Sequence, residues 1–271
     1  MKKSTCLVAF ALCLNQVQGL DFTEKQPQES AEDLAKKLAN PISPLISVPI
    51  QSNFDYGFGT SGDGEVIRTN IQPVIPFSLN EDWNLISRTI LPVIDQSDFA
   101  NSDLNEFGLG DVVQSFFFSP KDPVNGWILG GGPVLMLPTA SDSVLGGDKW
   151  GAGPTFVGLK QEGPWTVGLL ANHIWSFAGD SDRSHVNATY LQPFLAYVTP
   201  TKTTIGLNVE STYDWRSDQW SIPINFTVSQ LLKLGEQPVQ LSAGARYWAE
   251  SPDNGPEDWG FRLQFTFLFP K

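Results

Sequence analysis

Proton transfer at neutral pH is most often carried by histidine, and the 271-residue chain has two, His173 and His185. Ser176 lies three residues beyond His173. In a strand, an odd separation sends two side chains to opposite faces, so these two cannot form a nucleophile–base pair. His185 follows Ser184, with Asp180 and Asp182 just upstream. That Asp/Ser-rich stretch reads as a loop, where a dyad stays open as an alternative to simple solvation. Cys6 and Cys13 are the two cysteines, both near the N-terminus. Gly130-Gly131-Gly132 sits in a strand-like stretch with no βα unit around it, so it relieves crowding or bends a wall rather than cradling phosphate. The residues predict a protein that is not an enzyme, with no cofactor and no metal site.

The second group of chemistry-bearing residues is cationic and periodic. Arg68, Asn70 and Gln72 occupy alternate positions, as do Asn208, Glu210 and Thr212, and Arg262 and Gln264. Arg88 and Arg246 each stand on the polar parity of a strand-like run whose other face is apolar. In a membrane barrel, arginine on the lipid face costs about 2–4 kcal/mol at midplane, so these ten residues are assigned to the lumen. Two readings stay open for the arginines. They form a solvated track that selects solutes, or they pair with Glu210 and brace a closed barrel.

The elements that would position them are short strands. Phe261-Arg262-Leu263-Gln264-Phe265-Thr266-Phe267 alternates large apolar and polar residues, and so do the runs around Val239, Trp220, Thr204 and Ile46. Twelve such segments are read, at about 45–58, 65–77, 83–93, 108–118, 127–137, 150–159, 165–176, 187–198, 203–214, 220–230, 239–248 and 259–269. Soluble strands average about 5–6 residues, whereas a tilted membrane strand needs about 9–11. Trp83, Trp127, Trp150, Trp165, Trp220 and Trp259 open segments, and Trp175, Trp215 and Trp248 close them. That placement suits the aromatic girdles of an outer-membrane barrel better than the core of a soluble β-sandwich, the alternative fold. The longer connections, near 94–107, 138–149, 177–186 and 249–258, collect most of the loop acids and would face outward. Phe116-Phe117-Phe118 must send an aromatic ring inward in either register, and Ile86 and Ile90 share the parity of Arg88.

The fold class predicted is therefore all-β, a transmembrane antiparallel β-barrel of about 12 strands with a short N-terminal helix over Gln28–Ala39. Residues 1–19 read as a signal peptide: Lys2 and Lys3, an apolar run from Ser4 to Leu14, and cleavage after Gly19, which would remove both cysteines. Residues 20–44 form a helical segment that is periplasmic or plugs the lumen, and 45–271 form the barrel. The expected location is the outer membrane. With 17 Lys plus Arg against 29 Asp plus Glu, the net charge of −12 excludes a nucleic-acid partner.

The order of several short motifs resembles the outer-membrane β-barrel family named after the MetA pathway of phenol degradation. The segments are Asn70-Ile71-Gln72-Pro73-Val74-Ile75-Pro76, Trp83-Asn84-Leu85-Ile86-Ser87-Arg88-Thr89, Gly108-Leu109-Gly110-Asp111, Lys149-Trp150-Gly151-Ala152-Gly153-Pro154, Ala171-Asn172-His173-Ile174-Trp175-Ser176 and Gly244-Ala245-Arg246-Tyr247. The resemblance implies a channel or transporter for small, aromatic or apolar compounds. A structural or surface protein with a braced, closed barrel is the alternative. Its partners would be outer-membrane lipids, a small-molecule solute and the barrel-assembly machinery. The last would be met through a C-terminal strand carrying Asp258, Gly260, Leu263 and Phe265 and ending Phe269-Pro270-Lys271.

Overall fold

The computed structural model describes residues 31–98 and 105–270. The signal-peptide reading and the first residues of the expected helix lie outside them. Twelve strands make one sheet: β1 (Ile46–Phe58), β2 (Gly64–Ile71 and Val74–Ser78), β3 (Trp83–Ser97), β4 (Glu106–Leu109 and Val112–Pro120), β5 (Trp127–Leu137), β6 (Lys149–Glu162), β7 (Trp165–Gly179), β8 (Asn187–Val198), β9 (Thr203–Val209 and Ser211–Asp214), β10 (Gln219–Leu234), β11 (Gln237–Glu250) and β12 (Trp259–Phe269). Among the described residues one helix, α1 (Ala31–Leu38), precedes them. Each strand pairs antiparallel with its neighbours in sequence, and β1 closes the ring on β12 from Ile46↔Phe269 to Phe54↔Phe261. A closed ladder leaves no backbone edge unpaired, which is what a spanning sheet in lipid requires.

Three strands that the alternation reads as continuous are interrupted. Pro73 has no N–H to donate, and the β2 ladder breaks at Gln72-Pro73. β4 breaks at Gly110-Asp111, and β9 at Glu210. The barrel's two chain ends lie together, on the side of the tighter turns. Two of these turns have only two residues, Gly163-Pro164 and Gly235-Glu236. Each begins with a glycine at positive φ, +55° and +63°, which suits a tight hairpin. By the convention of such barrels this is the periplasmic end.

The outer face carries Phe226, Leu241, Leu263, Val228 and Leu207, all exposed as a lipid-facing belt requires. The inner face is divided. Ile86, Phe117, Val157, Leu159 and Leu170 form a buried apolar patch, and Ile42 packs into it. At Gly130 an added Cβ would meet Ile42 Cδ1 at 3.0 Å, so the missing side chain makes the room that Ile42 occupies. α1 follows the same logic: Leu34 and Leu38 pack with Leu45, Leu231 and Leu268. Its first turn holds Glu32 and Asp33 and its last turn Lys36 and Lys37, matching the helix dipole. Gln161 Nε2 donates to Lys36 O at 2.9 Å, and Lys202 Nζ lies 3.2 Å from Glu32. Residues 34–45 thus pack against the inner wall of the periplasmic half.

Candidate functional site

Alternation along β1, β9, β10, β11 and β12 sends Asp55, Glu210, Asn225, Arg246 and Arg262 to the interior, where they interlock. Arg262 grips Glu210 with two parallel bonds, Nη1–Oε1 at 2.9 Å and Nη2–Oε2 at 2.8 Å. Its Nε donates to Asn53 Oδ1 at 2.7 Å. Arg246 donates from Nε to Asp55 Oδ1 at 2.8 Å, and from Nη1 to Asn225 Oδ1 at 3.0 Å and Glu210 Oε2 at 3.2 Å. Asn225 in turn donates to Asn208 Oδ1 at 2.8 Å. The planar fork of arginine matches a carboxylate bidentately, and here two forks share one carboxylate. Arg262 is 3% exposed and Arg246 6%. For these two, the structure shows the braced arrangement rather than the solvated one.

Trp248, expected in the outer girdle, belongs to this network instead. Its Nε1–H donates to Asp55 Oδ1 at 2.8 Å, and its ring lies 4.7 Å from the Arg246 guanidinium carbon. Asp55, Asn53, Asn225 and Trp248 are the members that sequence reasoning missed as site residues. Asp55 and Asn53 carry the same alternation signal as the arginines, opposite Phe54 and Tyr56.

The other two arginines differ. Arg88 donates from Nη2 to Gln72 Oε1 at 2.9 Å and makes no ion pair among the described residues. Arg68 pairs in register with Asn53 and Ile94, is exposed, and makes no ion pair among the described residues. Among these side chains, then, Asp55 and Glu210 are taken up by Arg246 and Arg262, and Arg68 and Arg88 are left outside the ion pairs.

Beside them lies a cavity of about 590 Å³. Of the ten residues assigned to the lumen, Asn70, Gln72, Arg88, Asn208, Glu210, Thr212, Arg262 and Gln264 line it. Arg246, itself part of the network, is not among the lining residues, and neither is Arg68, which lies farther toward the outer end. Its apolar lining includes Tyr190, Phe194, Ile90, Ile174 and Met136. Phe117 and Ile86, whose inward parity suggested an aromatic and apolar lining, are fully buried against the Ile42 patch. They hold the N-terminal segment rather than line open space.

The outer end carries a folded-in loop, 138–148. Asp111 fixes it: its Oδ1 accepts the N–H groups of Thr139 (3.1 Å) and Ala140 (3.2 Å), and its Oδ2 that of Gly147 (2.7 Å). Leu145 packs with Val66 and Ile94 on the inner wall. Arg183 donates to Ser143 O at 2.6 Å and also to Gly146 O.

The histidines are separated as the odd spacing requires. His173 faces outward, with Nδ1 2.7 Å from Thr189 Oγ1 and Nε2 2.9 Å from Asn187 Oδ1, and its ring lies 4.0 Å from that of Trp175. His185 Nδ1 meets Ser176 Oγ at 3.2 Å, so the serine beside it in the fold is not Ser184. Among the described residues no carboxylate hydrogen-bonds to His185, and no three His, Cys, Asp or Glu side chains converge as a metal site.

No protein-family model matches the chain, and no curated protein sequence matches it. Solved structures do. An outer membrane channel from Pseudomonas putida F1 is similar over 83% of this chain and 94% of that one, at 19% identity and a TM-score of 0.63. Outer membrane phospholipase A from Escherichia coli is similar over 89% of this chain and 98% of that one, at 10% identity and a TM-score of 0.52. The fold is that of outer-membrane β-barrel proteins. One wall architecture serves a channel in the first and a phospholipase in the second, so function has to be argued from the interior.

Proposed function

We propose that the protein is an outer-membrane channel for small solutes that combine a polar group with an aromatic or apolar body. The observation that carries this reading is the cavity of about 590 Å³ inside the closed wall. Along β8 it is lined in turn by Ala188, Tyr190, Gln192, Phe194 and Ala196, so it runs with the strand rather than across it. Its volume falls in the range of small-molecule sites, about 300–1,000 Å³. Its lining mixes polar residues such as Asn70, Gln72, Gln192 and Gln264 with aromatic and apolar ones such as Ile90, Tyr190 and Phe194. The order of short motifs resembling the phenol-degradation family supports an aromatic body. No covalent step is assigned to the Ser176–His185 pair: its serine already accepts the Val186 N–H at 2.9 Å, and no acid orients the ring. In this reading the chain is exported by the segment 1–19, inserted through its C-terminal strand, and held by lipid around the belt.

A second reading is a sealed structural barrel. It draws on the brace around Glu210 and on Ile42 and α1 seated in the periplasmic half. Swelling of proteoliposomes separates the two. Phenylalanine, aromatic and unable to cross lipid unaided, should enter liposomes holding the folded protein faster than protein-free ones. Equal rates would support the sealed barrel.

A further inference from the structure

We infer that the cavity holds an anion subsite centred on Arg88, fitted to the carboxylate of a small aromatic or aliphatic acid. The inference rests on the channel reading for its physiological meaning, but its binding step is testable without transport. Both carboxylates of the network, Asp55 and Glu210, are engaged by Arg246 and Arg262. Arg88 and Arg68 are then two positive charges that make no ion pair among the described residues, the nearby carboxylates being already gripped by the other two arginines.

Donor geometry sharpens this. Arginine offers five N–H donors. Arg88 uses one, toward the side-chain oxygen of Gln72, which is itself buried. That bond steadies the guanidinium on the wall while leaving most of its fork free, and Arg88 lines the cavity. A fork held this way presents two parallel donors, the pattern that a carboxylate accepts bidentately. Tyr190 and Ile90 line the same space and offer apolar surface to the body of the acid. Arg68, farther toward the outer end and exposed, would draw anions inward.

The test uses the purified, detergent-folded full chain and three probes of one shape: benzoate, benzyl alcohol and benzylamine. Titration calorimetry should show benzoate binding at least tenfold more tightly than the alcohol, and no binding of the amine. In Arg88→Gln, still folded by its gel mobility without heating, benzoate affinity should fall about 10- to 100-fold, the loss of a charge-assisted bidentate contact. Arg88→Lys keeps the charge without the fork and should fall between the two. Equal affinity of the wild type for acid and alcohol would overturn the inference, and that comparison needs no variant to fold. Undiminished benzoate binding in folded Arg88→Gln would overturn it too. Benzoate binding by a protein that leaves liposomes impermeable would keep the subsite and remove the channel.

Discussion

Glu210→Gln is the most informative perturbation of the interior. The wild-type carboxylate accepts three bonds, two from Arg262 at 2.8 and 2.9 Å and one from Arg246 at 3.2 Å. Glutamine keeps one acceptor oxygen, adds N–H groups that face guanidinium donors, and removes the charge. Both arginines are nearly closed to water, so their loss is not made good by solvent. Breaking a buried pair by removing one partner costs about 3–5 kcal/mol, because it leaves an uncompensated buried charge. For a chain of this size about 2–4 °C accompanies each kcal/mol, giving a fall of about 6–20 °C in the unfolding temperature. Heat-modifiable migration on gels, read at one fixed heating rate, measures it. Arg88→Gln is the reference, since Arg88 has a single neutral partner and should change stability by under about 1.5 kcal/mol. In Glu210→Gln/Arg262→Met the orphaned charge is gone, so the double variant should recover part of the loss. A fall in Glu210→Gln no larger than that in Arg88→Gln, or a double variant showing the plain sum of the two single changes, would rule out the buried brace.

Ile42→Ala removes the side chain seated against Gly130 and Phe117, and should lower stability by about 2–5 kcal/mol and raise channel conductance; an unchanged conductance would mean that this segment does not limit passage. Asp111→Ala takes away the acceptor of three loop N–H groups, so protease cutting within 138–148 should accelerate while the wall resists, as digestion followed by mass spectrometry would show. The Glu32 carboxyl is held below its ordinary range, first by its hydrogen bond from Lys202 and then by that from Lys36. Its tether is therefore complete above the usual carboxylate pKa and lost as pH falls through the lowered one. Conductance should rise on acidification below about pH 4 in the wild type, and Glu32→Gln should hold the raised level at every pH; a variant that tracks the wild type contradicts the tether. Intact-mass measurement of protein from membranes should show a chain beginning at Leu20, and detection of Met1 or of a reactive thiol would contradict cleavage after Gly19.

The sequence makes the wall legible because lipid enforces one rule at every strand: apolar residues outward, with a period of two. That rule is enough to put Arg246, Arg262 and Glu210 on the inner face and His173 and Ser176 on opposite ones. It says nothing about partners across the lumen. Asp55 and Arg246 are 191 residues apart, and their bond depends on β1 closing against β12. Parity likewise turns Phe117 inward without revealing that Ile42 waits there, since a buried ring and a pore-lining ring have the same spacing. Trp248 departs from the girdle for a related reason: a tryptophan at a strand end suits a girdle, but its parity with Arg246 aims it at Asp55. The breaks at Pro73 and Glu210 escape a period-two reading because the alternation resumes in phase beyond them.

Single-channel recording in planar bilayers shows whether the barrel's interior conducts. Purified, folded protein should give discrete steps. In a salt gradient their reversal potential should favour anions, because two guanidiniums in the lumen, Arg68 and Arg88, make no ion pair among the described residues. Silence from protein that gels show to be folded, or a preference for cations, would contradict the account.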